Sequence, residues 1–219
     1  MAEFHQHKYS APTGSCTIVL IRHGQTIPAR PDAPFALKDG HGDPELLPVG
    51  HAQAERAAVA LQDAPLAAIY VTSLQRTHQT AAPLAASHGL APIEAPDLRE
   101  VFLGDWEGGL YRIKTANRDP AALRARTRQD WGEIPGAETA QTLRRRVMRA
   151  LHGIAARHSD QTVAAVVHGG VIGMVLATAT GAAPSAFIGA ENGSISRLVI
   201  TPDGYDLRGF NEVTHLAGL

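Results

Sequence analysis

Three short stretches of the chain are apolar with little alternation: Cys16 to Ile21, Leu66 to Thr72 and Gln161 to Val167. Runs of this length and make-up predict strands buried on both faces, as in a parallel sheet. Between them the apolar positions recur at helical spacing. Val49 to Gln62 and Leu74 to His88 predict helices, the second stopped by Gly89. Gly136-Ala137-Glu138-Thr139 opens a longer helix to about His158, and Gly170 to Thr180 follows the third strand. Pro92 to Ala95 predicts a short strand. The stretch Leu98 to Trp106 is strand-like as far as Arg99 and Glu100 and closes on a Gly-rich turn. Tyr111 to Gln129 is helical in pattern with a break at Pro120. Ser194 to Ile200 and Tyr205 to Phe210 predict strands around the turn Pro202-Asp203-Gly204. Strands alternating with helices predict an α/β sandwich with a largely parallel sheet. Residues 1–15 predict a disordered tail, and 16–219 a single domain.

One long region lacks pattern. Ile27 to Pro48 is rich in Pro, Gly and Asp and long for a loop, so it is expected to shape a pocket. The arginines Arg144, Arg145, Arg146 and Arg149 of the long helix are expected to fall mostly on its solvated face. With 20 basic and 21 acidic residues, the chain lacks the excess charge that nucleic-acid binding requires. The lone cysteine, Cys16, allows no internal disulfide and reads as a small buried hydrophobe. No apolar run reaches the length of a membrane span, and the polar N-terminus lacks a secretory core. A cytoplasmic protein acting on a small molecule is expected, without nucleic acid or membrane; a homodimer is common for such domains.

Chemistry concentrates just beyond the strand ends, where α/β folds gather their sites. Arg22, His23 and Gly24 follow the first strand. Thr72, Ser73 and, one helical turn on, Arg76 follow the second. His168, Gly169 and Gly170 follow the third, and Glu100 ends the strand-like segment. A single histidine after a strand would mean little; the joint set suits phosphate-ester cleavage. Arginine forks bind equatorial phosphoryl oxygens, a neutral imidazole attacks phosphorus, and a carboxyl group protonates the leaving alkoxide. Backbone N–H groups opening a helix at Gly169 and Gly170 add anion donors.

Leu20-Ile21-Arg22-His23-Gly24-Gln25-Thr26 resembles the signature of the histidine phosphatase superfamily, branch 1, the phosphoglycerate mutase-like group. The likeness continues in family order through Thr72 to Ala81, Leu98 to Gly108, Pro135 to Thr139, Val167 to Ile172 and Asn192 to Ser196. It implies a three-layer α/β/α sandwich and a site without metal or cofactor. By the resemblance, His23 is the nucleophile that becomes phosphorylated and Glu100 the general acid. Arg22, Arg76, His168, Thr26 and the Gly169 N–H are implied to hold the phosphoryl group.

The chain departs from the family pattern in two places. Ile27-Pro28-Ala29-Arg30 lacks the phosphate-binding asparagine of many relatives, leaving that contact to another group, such as one from the loop containing His41 and Asp43. Asp43 to Gly50 is an altered form of a familiar segment. The leading expectation is a metal-independent phosphatase for a small phosphomonoester. A cofactor-dependent phosphoglycerate mutase is the alternative, disfavoured because the mutase-type Asn-Arg-Phe-Thr-Gly-Trp segment is absent and Gly104 to Gly108 has the phosphatase-like form. A non-catalytic phosphate-binding module ranks lower, since His23, Glu100 and His168 are all present.

Overall fold

The computed structural model describes residues 3–219. Its strands are β1 (Cys16–Arg22), β2 (Leu37–Lys38), β3 (His41–Gly42), β4 (Leu66–Val71), β5 (Ile93–Glu94), β6 (Gln161–Val167), β7 (Ile195–Thr201) and β8 (Gly204–Glu212). Its α-helices are α1 (Pro48–Ala60), α2 (Gln75–His88), α3 (Leu110–Ala116), α4 (Pro120–Arg128), α5 (Ala140–Arg157) and α6 (Gly169–Thr180). Six strands form one sheet in the order β5-β4-β6-β1-β7-β8, while β2 and β3 pair separately. β5, β4, β6 and β1 are parallel; β7 and β8 complete the sheet antiparallel.

The apolar runs explain the layers. Successive side chains leave a strand on opposite faces. Ile18 and Leu20 of β1, with Val163, Ala165 and Val167 of β6, pack under α5 and α6. Val19 and Ile21, with Ala164 and Val166, pack under α1 and α2, whose Ala57, Ala58, Ala81 and Ala85 allow close approach. The result is a three-layer α/β/α sandwich. A third, small cluster of Trp106, Ala121 and Ile134 supports α3 and α4. Gly89 caps α2 in the left-handed conformation, and Pro120 opens α4 behind the Asp119 side chain, which accepts from the Ala121 N–H.

Register places the chemistry. Arg22 lies opposite Val167 in the parallel β1–β6 pair, so the next residue of each strand, His23 and His168, leaves the sheet beside the other. β4 ends one strand further along and delivers Thr72 and Ser73 to the same edge.

Two expectations are corrected. Leu98 to Trp106 contains no strand; 3-10 turns at Pro96–Leu98 and Gly104–Trp106 flank an irregular loop. The carbonyls of Asp97, Arg99 and Glu100 accept from the Arg146 guanidinium rather than from a neighbouring strand. Arg146 is therefore not on the solvated face with Arg144, Arg145 and Arg149; it turns inward and pairs with Glu138. Of the N-terminal tail, residues 1 and 2 lie outside the described ones. Residues 3–15 carry neither helix nor strand, and Tyr9 lies against Arg208 while its hydroxyl donates to Asp206. Among the described residues, no helix is long and apolar enough to cross a membrane.

Candidate active site

His23 and His168 meet with ring centroids 5.2 Å apart and planes inclined at 61°. Both are buried. Nδ1–H of His23 donates to the Gly24 carbonyl at 2.8 Å, which leaves the Nε2 lone pair as the reactive end of the ring. Burial, reinforced by the charges of Arg76 and Arg22, holds the His23 imidazole well below the usual histidine range. Burial and Arg76 do the same to His168. A neutral imidazole with a free Nε2 is the form that can attack phosphorus.

Arg22, His23, Arg76, Glu100 and Gly169 line one cavity of about 1130 Å³. Five of the seven residues expected at the site thus line one cavity, and His168 packs against His23 behind it. His168 lies one layer deeper, its Nε2 3.2 Å from Thr72 Oγ1 and its Nδ1 without a partner. Thr26, expected among the phosphate contacts, does not line the cavity. Its backbone bridges to Leu46, and its hydroxyl accepts from Arg112 Nη2 at 2.8 Å.

Each arginine is held by the backbone. The Arg22 main chain is clamped by Gly193 and Ser194, and its Nη1 donates to the Ala190 carbonyl. Its buried Nε–H has no partner, a donor that an anionic oxygen would satisfy. Arg76 Nη1 donates to the Gly42 carbonyl at 2.9 Å, with Asp43 at 3.7 Å. Burial lowers the Arg76 guanidinium to about 10, opposed by Glu100 and Asp43, so it stays charged at neutral pH. Asp43 is itself committed to the Gln75 N–H, so it is not a phosphate contact.

Glu100 sits between the loop and the start of α6. Its oxygens accept from the Val101 N–H at 3.0 Å and the Gly170 N–H at 3.3 Å. The Gly170 donor expected to face an anion thus faces the carboxylate instead. A Cβ on Gly170 would stand 2.6 Å from Glu100 Oε1 and 2.7 Å from Val101 Cγ2, so a larger residue here would displace the Glu100 side chain.

Sequence reasoning missed Arg112. From α3 its Nη1 reaches the Ile27 carbonyl at 3.0 Å and its Nη2 the Thr26 hydroxyl, and it lines the cavity as a third guanidinium. It occupies the neighbourhood of the absent asparagine. Burial lowers its pKa, with the Arg22 charge adding to the effect. Its signal in the sequence is slight, one arginine near the start of the helical stretch Tyr111 to Gln129, outside every motif of the resemblance. Glu138 is a second omission: it accepts from the Phe102 N–H and pairs with Arg146, so the segment Pro135 to Thr139 clamps the acid loop.

This arrangement, a histidine between guanidiniums with a carboxylate above it, is that of a phosphoryl-handling enzyme. Residues 18–213 match the model of the histidine phosphatase superfamily (branch 1), and the chain belongs to that family. Phosphoglycerate mutase-like protein 4 of Arabidopsis thaliana is 34% identical over 158 residues, covering 71% of this chain and 67% of that protein. The metal-independent phosphoserine phosphatase of the same plant is 31% identical over 207 residues, covering 92% of this chain and 84% of its own. The solved structure of a mycobacterial glucosyl-3-phosphoglycerate phosphatase matches with a TM-score of 0.76 at 26% identity, covering 90% of this chain and 99% of that one.

Proposed function

We propose that this protein is a metal-independent phosphatase that hydrolyses a small phosphomonoester through a phosphohistidine on His23. The observation that carries the reading is the 2.8 Å contact of His23 Nδ1 with the Gly24 carbonyl: an acceptor there puts the ring proton on Nδ1 and leaves Nε2 free, near the charges of Arg76 and Arg22. Nε2 attacks phosphorus and the ester P–O bond breaks. Glu100 gives its proton to the departing alkoxide, and the phosphoryl group stays on Nε2. Water then attacks, the P–N bond breaks, and Glu100 recovers a proton from the water. Arg22, Arg76 and Arg112 balance the charge on the phosphoryl oxygens, the work a metal would otherwise do.

Water access favours hydrolysis over phosphoryl return to a second substrate. Leu123 and Ile188, both on the cavity wall, are 51% and 57% exposed, so the cavity that His23 lines opens to solvent. The metal-independent phosphoserine phosphatase among the relatives supports the same choice.

The test is a phosphomonoester panel in EDTA, including 4-nitrophenyl phosphate and 3-phosphoglycerate, on the wild type and His23→Ala. Phosphate release should survive chelation and fall by several orders of magnitude in the variant. Brief labelling with radioactive substrate should leave acid-labile phosphate on the wild type alone. Phosphoglycerate isomerisation without phosphate release would make the protein a mutase, and near-normal rates in His23→Ala would place the nucleophile elsewhere.

A further inference from the structure

His41 lies in the cavity wall, on the small β3 strand, and has no part in the steps above. It is buried, at 8% exposure, and its Nε2 has no hydrogen-bond partner. Its orientation is not left to chance. Nδ1–H donates to the Asp39 carbonyl at 3.2 Å, and the ring meets Phe102 edge-on at 5.3 Å. Asp39 holds a left-handed backbone conformation, φ 50°, while its carboxylate accepts from Ser73 and from Arg99. On the other side, the Gly42 N–H donates to Glu107 and its carbonyl accepts from Arg76. A strained backbone pinned by four side chains fixes the imidazole.

With Nδ1–H committed to the Asp39 carbonyl, Nε2 is the ring atom left to accept a hydrogen bond. The donors around the cavity are claimed by the reaction itself. Arg22, Arg76, Arg112 and the Gly169 N–H are donors, as a phosphoryl group needs, and they would be taken by its oxygens. Glu100 accepts from the Val101 and Gly170 N–H groups, and the proton it carries in the steps above goes to the leaving alkoxide. Phosphoryl oxygens at neutral pH and hydrocarbon carry no donor for a buried acceptor, and leaving such an acceptor unmet is unfavourable. The partner must be an O–H or N–H of the substrate.

We infer that His41 is a specificity residue of this site, accepting a hydrogen bond from a hydroxyl or ammonium group close to the ester. The enzyme then selects polyol, hydroxy-acid or amino-alcohol phosphates over plain alkyl phosphates. The inference rests on the phosphatase reading for its substrates, but its test does not require turnover.

The experiment compares glycerol 1-phosphate, O-phosphoethanolamine and propyl phosphate on the wild type, His41→Ala and His41→Gln. KM, kcat and, by calorimetry on proteins also carrying His23→Ala, Kd are measured, with folding checked by circular dichroism. The wild type should favour at least one donor-bearing ester over propyl phosphate by about tenfold or more, mostly in KM and Kd. Which of the two is favoured tells hydroxyl from ammonium. His41→Ala should bring that ratio near one while propyl phosphate and 4-nitrophenyl phosphate keep their rates. His41→Gln, whose amide oxygen is again an acceptor, should restore part of it. A ratio near one in the wild type, by Kd as by KM, would overturn the inference and leave ordered water as the partner of Nε2. Equal losses on all three esters in His41→Ala would also overturn it, making His41 a phosphate contact or a structural residue. Failure of the phosphatase reading is recognised separately, by absent phosphate release from every ester.

Discussion

Replacing Arg146 by alanine tests whether the acid is positioned from beneath its loop. The guanidinium donates to the carbonyls of Asp97, Arg99 and Glu100 at 2.7, 2.7 and 2.8 Å, and pairs through Nε and Nη2 with Glu138. The Glu138 side chain is 9% exposed and that of Arg146 17%, so removal strands a largely buried carboxylate with one remaining donor, the Phe102 N–H. Breaking a buried pair of this kind costs about 3–5 kcal/mol. The freed carbonyls add less, because an opened loop lets water reach them. For a domain of this size the loss lowers Tm by on the order of 10 °C. Exposed Arg144→Ala should change stability by no more than about 0.5 kcal/mol. Neutralising the stranded carboxylate in Arg146→Ala/Glu138→Gln should return part of the loss, so the double variant is less destabilised than the sum of the singles. Urea unfolding followed by circular dichroism supplies the energies. Turnover of an alkyl phosphate should fall more than that of 4-nitrophenyl phosphate, because the displaced group is the acid. A loss below about 1 kcal/mol in Arg146→Ala, or strict additivity in the double variant, would refute this account of the loop.

Glu100→Gln should slow alkyl phosphates far more than 4-nitrophenyl phosphate, since only a poor leaving group needs the proton; equal losses in steady-state rates would remove the acid assignment. Gly170→Ala should reproduce that pattern, its Cβ intruding on Glu100 and Val101, whereas Gly169→Ala meets Arg22 at an ordinary 3.4 Å and should be far milder. Comparable kinetics for the two alanine variants would argue against the steric account. His23 and His168 have folded-state pKa values well below 6.5, so the unfolded chain takes up protons that the folded chain refuses. Stability is therefore complete above about pH 7 and falls as pH drops through the unfolded-state value near 6.5, by ~1.4 kcal/mol per pH unit for each histidine. Urea midpoints at pH 7.5 and 5.5 should show the decline, shallower in His168→Gln, and a flat profile would contradict neutral burial.

The sheet was legible because its central strands are buried on both faces and so are written as unbroken apolar runs. Strand ends followed directly, and with them Arg22, His23, Arg76 and His168. The loops were less readable, because their positions depend on contacts between distant side chains. Leu98 to Trp106 looked strand-like, yet its carbonyls are met by one guanidinium from α5. Arg146 looked solvated within the run Arg144 to Arg146, although it flanks the buried stripe of Leu143 and Val147, a position from which a long side chain can turn inward. Arg112 comes from the helical stretch Tyr111 to Gln129, whose pattern does not say against which loop it packs, and His41 from the irregular stretch Ile27 to Pro48, where no periodicity constrains direction. Thr26 sits inside the signature but serves the missed Arg112.

Gly24 and Gly50 have a further consequence. A Cβ on Gly24 would lie 2.3 Å from the Gly50 carbonyl oxygen, and one on Gly50 2.1 Å from that of Gln25, so the loop bearing His23 rests backbone against backbone on α1. The wall built from α3 and α4 has its own small cluster of Trp106, Ala121 and Ile134, and reaches elsewhere through contacts such as Arg112 to Thr26 and Gln129 to Ser185. The seat of the nucleophile and most of the substrate enclosure are therefore separate modules, joined at Arg112, which reaches the site from the wall. Apart from Arg112, the wall can accept substitutions or insertions without disturbing the seat of His23, which leaves one rigid base able to serve many substrates.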